Sequence, residues 1–181
     1  MRVLLHICCA NCAINPIQQL QGRGDGVVGF FFNPNIHPYQ EYRKRLEALK
    51  HYSEKTGLDF ILRDEYLLEE FLRNVSHRVD DRCRYCYRVR LEATAREAKE
   101  KGFERFSTTL LESSHQNHAL IRETGEKIAS DIGMPFYYED FRKGVKTGVQ
   151  ISKAMGLYRQ QYCGCIYSEK ERYMRPRRSL K

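Results

Sequence analysis

Three thiols stand within five residues, at Cys8, Cys9 and Cys12, directly after the apolar run Val3-Leu4-Leu5. Two further pairs follow, Cys83-Arg84-Tyr85-Cys86 and Cys163-Gly164-Cys165, which brings the total to seven cysteines. Neighbours such as Cys8 and Cys9 reach disulfide geometry only with backbone strain, so an ordinary staple explains them poorly. A soft metal or an iron–sulfur cluster explains close-spaced thiolates better. Two adjacent thiols plus a C-x-x-C pair supply four ligands, enough for a cubane cluster or for a tetrahedral zinc. Zinc ribbons usually pair two C-x-x-C knuckles on turns. Here one group is C-C-x-x-C beside an apolar strand, which favours the cluster. A single cysteine is often just a small buried hydrophobe, but groups of three, two and two fit that explanation badly.

Cys163, Cys165 and Cys12 remain. A C-G-C pair could form a strained, labile disulfide that relays two electrons. It could instead join Cys12 and a carboxylate, from Asp64, Asp80 or Asp81, around a second metal. The spacing does not choose between these roles.

The elements that must bring these groups together alternate in type. Apolar runs at 3–7, 27–32, 58–62, 103–110 and 135–138 read as strands. Helical periodicity covers 13–21, 39–56, 65–75, 86–101 and 117–132, and Gly57, Gly102 and Gly133 each close a helix before a strand. The pattern predicts an α/β fold: an open, mostly parallel, Rossmann-like sheet with helices on both faces and a small C-terminal helical lobe. One domain is expected over 1–181, with a sheet core at 1–140, a helical lobe at 141–168 carrying the C-G-C pair, and a basic tail at 169–181. In open parallel sheets ligands gather beyond the carboxyl ends of the strands. Cys8, Cys9 and Cys12 follow the first strand, and a helix N-terminus there favours thiolate over thiol. Asn33-Pro34-Asn35-Ile36-His37-Pro38 follows the second strand as a rigid loop.

Composition narrows the class. The 181 residues are 41% hydrophobic and 30% charged, with a formal net charge of +8. That charge favours a polyanionic partner such as nucleic acid. No run approaches the roughly 18 apolar residues that span a bilayer, and the short apolar start does not read as a signal peptide. A cytoplasmic protein without a membrane partner is expected, and in that compartment cysteines stay reduced and serve metals or catalysis.

Five motifs in order resemble the cobalamin-independent epoxyqueuosine reductases. They are His6-Ile7-Cys8-Cys9-Ala10-Asn11-Cys12, Asn33-Pro34-Asn35-Ile36-His37-Pro38 with Glu41-Tyr42, Cys83-Arg84-Tyr85-Cys86-Tyr87, Phe106-Ser107-Thr108-Thr109-Leu110-Leu111, and Tyr158-Arg159-Gln160-Gln161-Tyr162-Cys163-Gly164-Cys165. The resemblance runs from about residue 3 to 168. Asn11 stands where the family usually has proline, and Ser114-His115 stands where Pro-Tyr is common. The resemblance implies reduction of epoxyqueuosine to queuosine in a tRNA anticodon loop, the last step of queuosine biosynthesis. It implies a [4Fe-4S] cluster on Cys8, Cys9, Cys83 and Cys86, and a redox-active pair at Cys163 and Cys165. Cys12 could ligate an additional mononuclear iron. An external electron donor is needed, because removing an epoxide oxygen as water takes two electrons and two protons. His6, His37, His115 and His118 are candidate proton donors, and His37 is favoured because its rigid loop follows a strand.

Two other readings share these residues. A zinc-stabilised RNA-binding module would use the same cysteines and charge without catalysis. An ATP-dependent tRNA-modifying enzyme on a related fold would need a glycine-rich pyrophosphate loop after the first strand, and Cys-Cys-Ala-Asn-Cys occupies that place.

Overall fold

A computed structural model describes residues 1–174 of the chain. The apolar runs form β1 (Arg2–His6), β2 (Gly26–Phe31), β3 (Phe60–Leu62) and β4 (Arg105–Thr108). All pairings are parallel, in the order β3-β2-β1-β4. β1 is therefore central, and its Leu5 lies beside Gly29 on one flank and Ser107 on the other. Val3, Leu4, Leu5 and His6 are fully buried. Burial on both faces is why this strand reads as a continuous apolar run rather than an alternating one.

Seven α-helices connect and cover the strands among the described residues. They are α1 (Ala10–Gln21), α2 (Tyr39–Thr56), α3 (Leu68–Val75), α4 (Arg82–Glu100), α5 (His118–Ile132), α6 (Val145–Ala154) and α7 (Ile166–Tyr173). Gly57 and Gly133 end α2 and α5 at φ 71°, each donating its N–H to the carbonyl four residues back. A left-handed cap of this kind favours glycine, since a Cβ there strains the backbone.

The strands expected at 58–62 and 103–110 and the helix expected at 65–75 are shorter than expected, and four further differences bear on the site or the C-terminal segment. α1 starts at Ala10, so Cys12 lies inside the helix and Pro16 sits in its interior. Pro16 has no N–H to give the carbonyl of Cys12, so the helix lacks that one i to i−4 bond. α4 starts at Arg82, which places both Cys83 and Cys86 on its first turns. Pro135–Tyr138 is not a full strand: it runs beside β4 through one bridge, Phe106 to Phe136, flanked by Phe106 N–H to Pro135 O at 3.0 Å and Tyr137 N–H to Phe106 O at 2.8 Å. Proline cannot extend the ladder with a donor of its own. α7 crosses the expected boundary at 168/169, so the basic stretch begins as helix. Arg175, Arg177, Arg178 and Lys181 of the expected basic tail lie outside the described residues.

The C-terminal segment from Phe141 docks on α1. The buried Asn15 carboxamide donates to the Phe141 carbonyl at 2.6 Å. A second, smaller apolar cluster gathers Phe71 and Val75 of α3 with Cys86 and Cys165.

Candidate metal-thiolate site

The N-terminal thiols are positioned by the end of β1. Cys8 leaves the strand, Cys9 is the N-cap of α1 in extended conformation, and Cys12 is one turn further on. Three residues and one helical turn therefore fold three sulfurs onto one side. Their Sγ atoms all lie within 4.8 Å of one another, the only group of three or more possible metal ligands this close among the described residues. Cys8 and Cys9 are buried and Cys12 is half-buried. Thr109, just past β4, ties this corner to the sheet: its hydroxyl accepts from Cys8 N–H at 3.3 Å and donates to Cys8 Sγ at 3.5 Å.

These three thiols hold their protons unequally. Hydrogen bonds from Cys12 and Cys9 hold the Cys8 sulfur well below the usual thiol range. Burial pushes Cys9 well up, and the hydrogen bond with Cys8 pushes Cys12 well up. A second ionisation in this pocket costs too much without a cation. A thiophilic metal supplies that cation and makes all three sulfurs ligands. The residues present fit a soft metal group, by donor type, by spacing and by this electrostatic need.

The other four thiols come from distant parts of the chain. Cys83 and Cys86 project from the first turns of α4. Cys163 and Cys165 lie before α7, whose N-cap is Cys165. Cys86 and Cys165 are buried and share one apolar cluster, while Cys83 and Cys163 are exposed. Burial raises Cys83 and Cys163, and pushes Cys86 up to about 12. Gln116 Nε2 donates to Cys163 Sγ at 3.0 Å, and Ser168 N–H donates to Cys165 Sγ at 3.4 Å. Both thiol groups line one cavity of about 580 Å³, with Cys8, Cys12, Cys83, Cys86, Cys163 and Cys165 in its wall. A roomier groove of about 940 Å³ lies between α4 and α5, but its wall, charged side chains around Thr124, Ile128 and Ile132, holds no cysteine.

Two buried arginines frame the site, and the motif reading passed over both. Arg45 of α2 is 1% exposed and pairs with Glu41 at 2.7 Å. Its other nitrogens donate to the carbonyls of Cys163 and Tyr162, both at 2.9 Å. Tyr158 donates to the second oxygen of Glu41, and Tyr162 donates to the His37 carbonyl at 2.6 Å. His37 N–H in turn donates to Gly164 O at 2.8 Å. The Cys163–Cys165 turn is thus clamped between α2 and the Asn33–Pro38 loop. Gly164 stands at φ 149°, and a Cβ there would sit 3.2 Å from Asn35 and Ile36 side-chain atoms. Arg90 of α4, also 1% exposed, donates through Nε to the Cys86 carbonyl at 2.9 Å and through a terminal nitrogen to Cys86 Sγ at 3.0 Å. The i to i+4 spacing from Glu41 to Arg45 and from Cys86 to Arg90 was readable as one helix face; that the face would be buried was not.

The histidines divide by position. His6 is fully buried, with Nδ1 3.0 Å from the Thr108 hydroxyl and Nε2 3.3 Å from the Phe32 carbonyl, and burial pushes it down to about 3. It ties β1, β2 and β4 together at their carboxyl ends. His37 is 1% exposed, with its ring 5.0 Å from Phe71, Nε2 3.1 Å from the Pro34 carbonyl and Nδ1 unpartnered. Burial pushes His37 down to about 4. His115 lines the cavity, whereas His118 is placed against the Ser113 carbonyl at 3.3 Å. Asp64 accepts from the Tyr42 hydroxyl at 2.8 Å, and neither it nor Asp80 or Asp81 is in the cavity wall.

Glu112 was missed altogether. It follows β4 by four residues, is 6% exposed, and burial followed by the Cys8 charge pushes it up to about 8. The nearby Asn15 and Cys12 side chains draw it part of the way back down. The available signal was a carboxylate just past the carboxyl end of a buried parallel strand.

Asn11, where the resembling family has proline, bonds across the site. Its Nδ2 donates to Tyr158 O at 2.8 Å and to Gln160 Oε1 at 2.9 Å. With its oxygen so held, Gln160 turns its NH₂ to Cys12 Sγ, 3.2 Å away. The Ser152 hydroxyl donates to the Asn11 oxygen.

Comparison with known proteins places this geometry in context. The family model described as epoxyqueuosine reductase QueH matches residues 3–171. A protein of that name from Dehalococcoides mccartyi is 42% identical over 97% of this chain and 96% of its own length. Its namesake from Thermotoga maritima is 39% identical, over 94% of this chain and 91% of its own length. A solved structure described as a predicted subunit of tRNA methyltransferase from Methanocaldococcus jannaschii is similar in fold, with a TM-score of 0.54, 10% identity, and coverage of 89% of this chain and 93% of that one. At that identity the likeness concerns the fold alone.

Proposed function

The chain belongs to the epoxyqueuosine reductase QueH family, and on that footing we propose that its cysteine cavity reduces epoxyqueuosine to queuosine in the anticodon loop of a tRNA. The observation that carries this reading is that thiols from three separate stretches of the sequence stand in the wall of a single cavity. No helix among the described residues is long and apolar enough to cross a membrane. The +8 charge suits a polyanionic substrate, and a splayed-out base is the form in which a modified nucleoside in a loop becomes accessible.

Cys8, Cys9, Cys83 and Cys86 are assigned to a [4Fe-4S] cluster, and Cys12 to an additional mononuclear iron. When bound, such a group supplies electrons drawn from an external donor. The protein's own residues do the rest. Cys163 and Cys165 form the redox pair, and two thiols becoming one disulfide release the two electrons and two protons that convert an epoxide to an alkene and water. Arg45, Tyr162 and the His37 backbone hold that pair at the cavity. Gln160, locked by Asn11, keeps an N–H donor on the Cys12 side.

His37 and Glu112 are the two candidate proton sources, and their shifts run in opposite directions. At pH 7 a histidine pushed down to about 4 is neutral, whereas a carboxyl pushed up to about 8 still holds its proton. Glu112 is therefore the better-matched acid by protonation state; neither side chain is in the cavity wall, and His37 serves the site through its main chain, which holds Gly164 and Tyr162.

The deciding experiment is anaerobic reconstitution followed by iron and sulfide analysis, EPR, and turnover of epoxyqueuosine-containing tRNA. About four irons or more per chain with matching sulfide, and queuosine as product, are expected. Stoichiometric zinc without sulfide, and no turnover, would favour the RNA-binding module instead.

A further inference from the structure

Among the described residues Arg90 has no carboxylate partner. It is 1% exposed, yet it makes no ion pair with any carboxylate among the described residues, where Arg45, equally buried, pairs with Glu41. Its hydrogen bonds go to the Cys86 carbonyl and the Cys86 sulfur, and the Tyr87 ring lies 6.0 Å from its guanidinium carbon. All three partners are formally neutral while the thiol keeps its proton. An isolated buried guanidinium costs several kcal/mol, and arginine cannot shed its charge. The missing negative charge must come from what surrounds it, and what surrounds it is sulfur. Cys86, Cys163 and Cys8 act on it most, with Tyr87 behind them, and Cys83 and His6 also lie in its field.

We infer that Arg90 is the built-in counter-cation of the metal-thiolate centre, a positioning residue that grips Cys86 and offsets the negative charge that ligating thiolates bring. The inference rests on the proposed metal site. It explains why an arginine occupies a fully buried turn of α4 one helical turn beyond the C-x-x-C pair. While Cys86 is a thiol, none of the groups that Arg90 hydrogen-bonds carries a compensating charge, and that destabilises the fold. Once thiolates are ligated, the same charge becomes favourable and the N–H···S bond is charge-assisted. A fixed cation beside the centre also favours its reduced, more negative state, so Arg90 raises the midpoint potential.

Arg90→Gln keeps donors near Cys86 and removes the charge. Its thermal midpoint and its EPR-monitored redox midpoint are to be compared with wild type, metal-free and after anaerobic reconstitution with iron and sulfide. The metal-free variant is expected to be at least as stable as metal-free wild type, whereas the reconstituted variant gains less stability than wild type does. Its potential is expected to fall by about 59 mV or more, a tenfold change in a one-electron equilibrium. A residue that merely packs would cost stability equally in both forms and leave the potential in place, and that result overturns the inference. Arg90→Lys keeps the charge and is the second test, sufficient by itself if the glutamine variant does not fold. Its potential should stay near wild type, and a fall of about 59 mV would overturn the counter-cation role. Wild-type protein that takes up no iron would sink the metal reading together with this inference, while iron uptake with an unmoved potential would sink this inference alone.

Discussion

The two sulfur groups of this protein are built in opposite ways. Cys8, Cys9 and Cys12 are brought together by one strand end and one helical turn, so their closeness within 4.8 Å needs little beyond local geometry. Cys83, Cys86, Cys163 and Cys165 are brought together across almost eighty residues, by α4, the turn before α7 and an arginine clamp from α2. The first group is compact, largely buried and electrostatically tense. The second is half exposed and depends on the packing of the C-terminal segment. The difference teaches that the first group suits ligation alone, whereas the second combines ligands, Cys83 and Cys86, with a Cys163–Cys165 pair that must change state, because an electron relay needs access and a ligand cage needs exclusion.

The sharpest way to break this comparison is ligand by ligand. Replacing Cys8, Cys9, Cys83 or Cys86 by serine should each abolish cluster absorbance and turnover, while Cys163→Ser with Cys165→Ser should keep iron, fold and tRNA binding and lose only turnover. Loss of iron from variants of one group alone would divide the site along the line between the groups and overturn the shared ligand set.

Next in size is the clamp. Arg45→Met leaves the buried Glu41 unpaired and frees the carbonyls of Tyr162 and Cys163. Breaking a buried pair from one side costs about 3–5 kcal/mol. Chemical denaturation should report a loss of that order, and Cys163 should alkylate faster while Cys8 does not. Equal protection of both thiols would mean that the C-terminal pair does not depend on α2.

Proton linkage separates the groups more gently. Glu112 beside Cys12 has a folded pKa of about 8, above its unfolded value near 4.5. The folded state therefore binds the extra proton between these values, and metal-free protein should lose stability as pH rises from about 4.5 through 8, by an amount on the order of a few kcal/mol. Glu112→Gln should flatten that slope in thermal melts across the range. In the reconstituted enzyme it should slow turnover with little change in KM for tRNA.

The smallest effect is expected far from both groups. Arg96→Ala or Lys127→Ala, in the larger groove between α4 and α5, should leave iron content and turnover unchanged. A large loss of tRNA binding there would move the substrate footprint away from the cysteine cavity.

Much of this site was written in residue types. Thiols at i, i+1 and i+4 after an apolar strand announce a ligand group whatever the tertiary structure, and a helix–glycine–strand repeat announces a parallel sheet. Those features are local: strand burial, helical period and left-handed caps each depend on a few adjacent residues. What the sequence could not state was charge balance. That Arg45 would find Glu41 and the C-G-C turn, that Arg90 would find the Cys86 sulfur and carbonyl but no carboxylate, and that Glu112 would be shut away from water follow from which faces become buried. Burial is a property of the whole packed chain, and it alone sets the dielectric and the partners that give a charged side chain its meaning.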